Sequence, residues 1–239
     1  RLMEGLDKRA PFTATGGIIP PEFQNIKTPC YILDEKALIE NAKLLGEVAE
    51  RTGCKMLLAQ KAFSNYDCYP FFEPYLAGTE ARLGAEEMAG KEVHVFCAGY
   101  RADEFEELLQ YADHIVFNSP SQLLRFGRMA KEAGKSVGLR INPECSTQEG
   151  HEIYDPCAPG SRMGTTRVQW DEAIVKNPEL MELLDGVHFH TLCEQDSDDL
   201  ETTLVSVKKQ FGDLITKVKW INFGGGHHIT RPGYDIERL

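Results

Sequence analysis

No Cys-x-x-Cys pair occurs among the seven cysteines, which stand apart at positions 30, 54, 68, 97, 145, 157 and 193. Their scatter and odd number argue for reduced thiols in a cytoplasmic protein rather than a disulfide framework. No apolar run approaches the length that crosses a bilayer, and residues 1–25 contain no signal-peptide core. Membrane insertion and secretion are therefore not expected. Basic residues are outnumbered: 26 Lys and Arg against 37 Asp and Glu leave a net charge of −11. That sign excludes nucleic acid as an expected partner and weakly favours cationic small molecules. No Gly-x-Gly-x-x-Gly follows the first strand-like segment, which counts against a dinucleotide site.

What remains is an ordinary soluble composition, with 42% hydrophobic and 26% charged residues over 239 positions. That is enough for one large domain. Residues 1–27 read as a poorly structured lead-in, and the initial Arg1 suggests end processing or truncation. Residues 28–239 read as a single barrel-type domain. Cys30 to Leu33 suggests a short strand. Asp34 fits a helix N-cap and Gly53 its stop, with apolar residues at helical spacing between them. Strands are expected at 56–60, about 76–78, 93–97, 114–117, 136–142, 186–190 and 218–223, separated by amphipathic segments. Ser119, Pro120 and Gln122 form a strong helix start. Asp198 with Glu201 marks another start, for a helix reaching Phe211. Buried-type strands alternating with helices imply a parallel α/β sheet. Seven in this rhythm suggest a (β/α)8 barrel of the TIM type with the eighth strand absent.

Chemistry concentrates at the predicted strand ends. Lys61 closes an apolar run with no acidic partner nearby in sequence. A lysine partly desolvated there would have a freed, nucleophilic amine of the kind a Schiff base needs. Gly224-Gly225-Gly226 follows the last strand and can form a backbone anion nest, suited to phosphate. His188 and His190 share a strand face. They fit either a metal pair, with His227, His228 or Cys193, or an imidazole lying flat on an aromatic cofactor. Arg140 and Arg162 are placed to clamp an oxyanion. Glu80 and Arg82 fit a solvated helix start equally well. The long polar loop from Glu144 to about Thr166 exceeds a plain connection and would sit over a binding site. Together these features suit a phosphorylated cofactor held covalently by lysine, pyridoxal 5′-phosphate.

Several segments carry a resemblance to a known family: Ala59-Gln-Lys-Ala-Phe-Ser64, Glu80-Ala-Arg-Leu-Gly84, Gly138-Leu-Arg-Ile-Asn-Pro143, Pro159-Gly-Ser-Arg-Met-Gly164, His188-Phe-His-Thr-Leu-Cys-Glu-Gln195 and Gly224-Gly-Gly-His-His-Ile-Thr230. The chain resembles the fold-type III pyridoxal-phosphate decarboxylases, whose barrels are alanine racemase-like. Within them it resembles the carboxynorspermidine/carboxyspermidine decarboxylases. The resemblance implies that Lys61 carries the cofactor as a Schiff base and His190 stacks on its ring. It also implies that Gly224, Gly225 and Gly226 hold the phosphate and that Arg140 lies beside the ring. Glu194, His227 and His228 would then be near the substrate, a polyamine with an amino-acid head. No metal is implied. A homodimer is implied for the full-length protein.

Two departures from the family pattern stand out. The segment between the second strand and Glu80 is short, and that loop would border the cofactor. The sequence also stops at Leu239, before the family's eighth strand and C-terminal β domain, so the chain alone is expected to be impaired. Three other readings are a cofactor-binding barrel without catalysis, another amino-acid decarboxylase of the diaminopimelate or ornithine type, and a metal-dependent hydrolase barrel built on His188 and His190.

Overall fold

The computed structural model describes residue 23, residues 25–27, 29–80, 90–148 and 154–239. The expected lead-in and the segment containing Arg82 and Gly84 lie largely outside these residues. Asp34 caps helix α1 (Glu35–Thr52), accepting the Ala37 amide at 3.1 Å, and Gly53 ends it in the left-handed region at φ 71°. Cys30 to Leu33, expected as a strand, has no strand partner among the described residues and stays exposed. An extended segment without a partner leaves its backbone to water, so no strand forms.

Seven strands follow: β1 (Leu57–Ala59), β2 (Gly78–Glu80), β3 (Glu92–Cys97), β4 (His114–Phe117), β5 (Ser136–Arg140), β6 (Gly186–His188) and β7 (Trp220–Asn222). All pair in parallel, in chain order, as one seven-stranded sheet. This is the incomplete barrel sheet the sequence implied. Several strands are shorter than expected, most clearly at their C-terminal ends. Ile141, His190 and Phe223 fall outside the strands, although Ile141 still bridges Thr165 in parallel, and β2 lies two residues later than the expected 76–78.

The helices are α2 (Tyr69–Phe72), α3 (Ala102–Tyr111), α4 (Pro120–Glu132), α5 (Arg167–Lys176), α6 (Leu180–Leu183) and α7 (Ser197–Ile215). Ser119 caps α4 with Pro120 in its first turn. The Gln122 side chain reaches past that cap to the Asn118 amide, at 3.0 Å. The α7 start differs from expectation. Asp196 is the N-cap, and its amide donates to Asp199 Oδ2 at 3.2 Å. The helix continues past Phe211, where the backbone kinks at φ −122° and ψ 15°.

Side chains alternate across the sheet because the strand period is two. Val93, Val95, Ile115, Phe117, Val137, Leu139 and Val187 join helix residues such as Phe105, Leu123, Phe126 and Leu180 in one buried cluster. The opposite face carries His94, Phe96, His114, Arg140, His188 and Trp220. Trp220 fills that interior over Gly138 and Gly186, where a Cβ would fall 2.4 Å and 2.0 Å from its ring atoms. At the base of the sheet Asp185 joins three elements. It pairs with Lys131 at 2.6 Å and Lys219 at 2.9 Å and accepts the Val137 amide at 3.0 Å.

Candidate active site

The strand register brings the expected residues to one end of the sheet. Lys61 lies just beyond β1, Glu80 ends β2, Arg140 ends β5, His190 follows β6 and the glycines follow β7. This is the C-terminal end of a parallel sheet, where ligand sites of such folds form.

Lys61 is exposed rather than desolvated. β1 is the first strand in the sheet order and, among the described residues, pairs with β2 alone. The lysine does have a neighbouring acid that the sequence did not reveal. Glu80, half-buried at the end of β2, is raised above the usual carboxylate range by burial, against the opposing pull of the Lys61 and Arg140 charges. It is the end of a strand, not the helix start that its surroundings allowed. Chain distance hid this pairing, because β1 and β2 align Ala59 with Glu80.

His190 is the junction of the site. Its Nδ1 accepts the Gly225 amide at 3.1 Å, and its carbonyl accepts Arg140 Nη2 at 3.1 Å. An Nδ1 that accepts leaves the proton of the neutral ring on Nε2. Burial lowers the imidazole to about 4, helped by the charges of Arg140, Lys61 and His227. The ring is therefore neutral at neutral pH. Arg140 is 4% exposed, with its guanidinium over the Phe96 ring at 4.6 Å, and burial lowers it to about 10. It keeps its charge and orients the His190 backbone.

His188 is not paired with His190. It is buried against Phe96, with ring centroids 5.7 Å apart, and bonds the Asn222 side chain. Burial and the Arg140 charge hold it well below the ordinary histidine range. Among the described residues, the one group of three metal-type side chains lies elsewhere, at Glu92, His94 and His114.

The glycine turn is shaped by close approach. A Cβ at Gly226 would lie 1.9 Å from the Leu192 carbonyl, and one at Gly224 would lie 2.4 Å from that of Phe189. Both residues have positive φ, 87° and 71°. Gly225 is different: a Cβ there would meet only His190 Cε1, at 4.0 Å. The nest is partly satisfied within the protein. The Gly224 amide donates to Asn222 Oδ1 at 2.7 Å, and that of Gly225 goes to His190. Polar backbone groups in a half-buried turn take partners wherever they can.

The loop after β6 is tied to this turn. The Gln195 amide donates to the Gly226 carbonyl at 3.1 Å, and the Gln195 side chain bonds Thr147 of the long loop. Glu194 is thereby held exposed at φ 57°. His228 is exposed, whereas His227 Nδ1 meets Tyr234 Oη at 2.6 Å. Burial lowers His227 and raises Tyr234 to about 12. Arg162 is exposed, and its loop is anchored by Asn118, which donates to the Arg162 carbonyl and accepts the Gly164 amide at 2.9 and 2.8 Å. Phe96, Asn118, Asn222 and Tyr234 are supporting residues to which sequence patterning gave no role, and Glu80 was read there only as a possible helix start. An asparagine directly following or ending a strand was the available signal for two of them.

The residues present fit pyridoxal phosphate. An accessible amine at Lys61, a neutral imidazole, a buried arginine and open space over Gly225 occupy one sheet end. Lys61, His190, Arg140 and Gly225 are the residues that would hold it.

No family model matches the chain. The chain is 40% identical over 223 residues to a carboxynorspermidine/carboxyspermidine decarboxylase of Campylobacter jejuni, which spans 91% of this chain and 56% of that protein. It is 36% identical over 223 residues to a carboxyaminopropylagmatine decarboxylase of Synechocystis, with the same coverage. The chain thus spans a little over half the length of the curated relatives it matches. The crystal structure of the C. jejuni carboxynorspermidine decarboxylase with norspermidine superposes with a TM-score of 0.78 at 37% identity, covering 90% of this chain and 55% of that one. Alanine racemase of Bartonella henselae, solved with covalently bound pyridoxal phosphate, shares the fold with a TM-score of 0.53 at 12% identity over 79% of this chain and 54% of that one. By sequence identity and by fold together, this chain is similar to the carboxynorspermidine/carboxyspermidine decarboxylases and carries the parallel barrel sheet of the alanine racemase-like enzymes.

Proposed function

We propose that the protein acts as a pyridoxal-phosphate-dependent carboxy-lyase that removes CO2 from the amino-acid head of a carboxylated polyamine, carboxynorspermidine or carboxyspermidine. The observation that carries this reading is the meeting of Lys61, neutral His190 and Gly225 at one end of the sheet. Bound there, pyridoxal phosphate supplies an electron-withdrawing ring that accepts the electron pair left at Cα when CO2 departs.

The chain's own residues have separable tasks. Lys61 Nζ is the amine that would hold the cofactor through its aldehyde. His190 presents an uncharged ring whose Nδ1 is locked by Gly225, and it would face a bound cofactor without repelling a substrate cation. Arg140 holds the His190 backbone and adds positive charge beside the ring. Gly225 leaves room for the phosphate beside a turn whose Gly224 and Gly225 amides already bond Asn222 and His190. Glu194 and His228, exposed at the mouth, are suited to the ammonium groups of the substrate tail. A homodimer of the full-length protein belongs to the same reading and is checked by sedimentation.

Borohydride reduction of the protein incubated with pyridoxal phosphate, followed by peptide mapping, tests the assignment. The expected result is a pyridoxyl group on Lys61, absent in Lys61→Ala. A label confined to other lysines would refute it. CO2 release from carboxynorspermidine separates the catalytic reading from a barrel that merely holds the cofactor.

A further inference from the structure

At the opposite end of the sheet, β3 begins with Glu92 and His94, two residues apart and so on one face. The strand register sets His94 directly beside His114 of β4. Their rings stack with centroids 3.9 Å apart and planes within 6°. Both Nε2 atoms turn toward one carboxylate oxygen, Glu92 Oε2, at 3.2 Å from His94 and 3.9 Å from His114. One donor atom from each residue lies within 4.8 Å of the others. His94 is 9% exposed, and the buried Nδ1 of each ring has no hydrogen-bond partner. Packing alone does not account for two imidazoles stacked face to face with unpartnered nitrogens, since buried polar atoms are otherwise satisfied.

We propose that Glu92, His94 and His114 form a binding site for a borderline divalent cation, Zn²⁺ in the first instance, that pins β3 to β4 at the base of the sheet. Two imidazoles and a carboxylate are an established zinc donor set. With metal–ligand bonds of about 2.0–2.2 Å, tetrahedral donors sit about 3.3 Å apart. The Glu92–His94 spacing of 3.2 Å already matches, whereas the 3.9 Å spacing to His114 must close by about 0.6 Å. One imidazole must also turn out of the parallel stack so that both in-plane lone pairs meet at the ion. Lys55 is the competitor: its ammonium holds the other oxygen of Glu92. Its side chain is 64% exposed and can move to water when a cation arrives. A water completes the coordination. The Trp220 ring stands edge-on to both imidazoles. The site is distant in register from Lys61, so it would act on stability by binding the folded chain alone.

The test is calorimetric titration of Zn²⁺ into EDTA-treated protein. The expected result is one binding event that weakens at least tenfold in Glu92→Gln and in His114→Gln, the scale seen even for a lost outer partner of a metal site. In Lys55→Met the same event should tighten, because the competing cation is gone. A Co²⁺ adduct should show a four-coordinate visible spectrum without a thiolate charge-transfer band. Binding unchanged in both glutamine variants, or a thiolate band from the scattered cysteines, would overturn the proposal. If circular dichroism shows the glutamine variants unfolded, the exposed-site variant Lys55→Met decides. Tighter binding supports the site, and unchanged or weaker binding overturns it.

Discussion

His190 gathers more of the site into one side chain than any other residue: a locked tautomer, a bond to the glycine turn and a carbonyl that receives Arg140. Its acidity carries a stability consequence. The folded ring titrates at about 4, against 6.5 for an ordinary histidine. Between those values the unfolded chain takes up a proton that the folded ring refuses. Stability is therefore full above pH 6.5 and is lost as the pH falls toward 4. Buried His188 acts in the same direction. Thermal melting between pH 7 and about pH 4.5 should show the decline, with a shallower slope in His190→Gln than in the wild type. An equal slope in the two proteins would show that His190 is not the titrating group. Lys61 shows what a single residue in a sequence can and cannot disclose. Its place after an apolar run located it at a strand end. Its exposure and the placing of Glu80 beside it are features that only the folded chain displays.

At the scale of elements, the turn after β7 separates three glycines that look equivalent in sequence. A Cβ at Gly226 collides with the Leu192 carbonyl at a φ that side chains rarely adopt, whereas one at Gly225 enters open space. Gly226→Ala should lose about 2 kcal/mol or more in urea denaturation, through strain and displaced backbone. Gly225→Ala should fold with nearly wild-type stability, yet weaken pyridoxal phosphate uptake by crowding the phosphate position. Comparable stability losses in both variants would contradict this division of roles. The helix starts at Asp34 and Ser119 were legible because capping is local chemistry within four residues. The α7 start was displaced by two residues, from Asp198 to Asp196, because four nearby acids offer competing caps. The strand ends were overestimated where the same apolar pattern continues into loops that the neighbouring loops hold, as Arg140 and Asn142 bond Thr165.

Across the whole molecule, charge is the property that bears most directly on the proposed substrate. A net charge of −11 draws polycations toward the protein, and salt screens that attraction. Raising ionic strength from about 0.05 M to about 0.3 M, where the screening length shrinks by a factor of about 2.4, should raise KM for a carboxylated polyamine by a few-fold and leave kcat little changed. A KM insensitive to salt would show that the global field plays no part. Among the described residues, no helix is long and apolar enough to cross a membrane.

The sequence by itself determined the parallel α/β rhythm, the helix caps and the strand-end positions of Lys61, Arg140 and His190. Each of these rests on local periodicity or on neighbours a few residues away. Only the tertiary structure decided that Glu80 stands beside Lys61, that His188 is buried against Phe96, and that His94 stacks on His114. Those relations are set by strand register, which joins residues far apart in the chain and leaves no trace in local spacing.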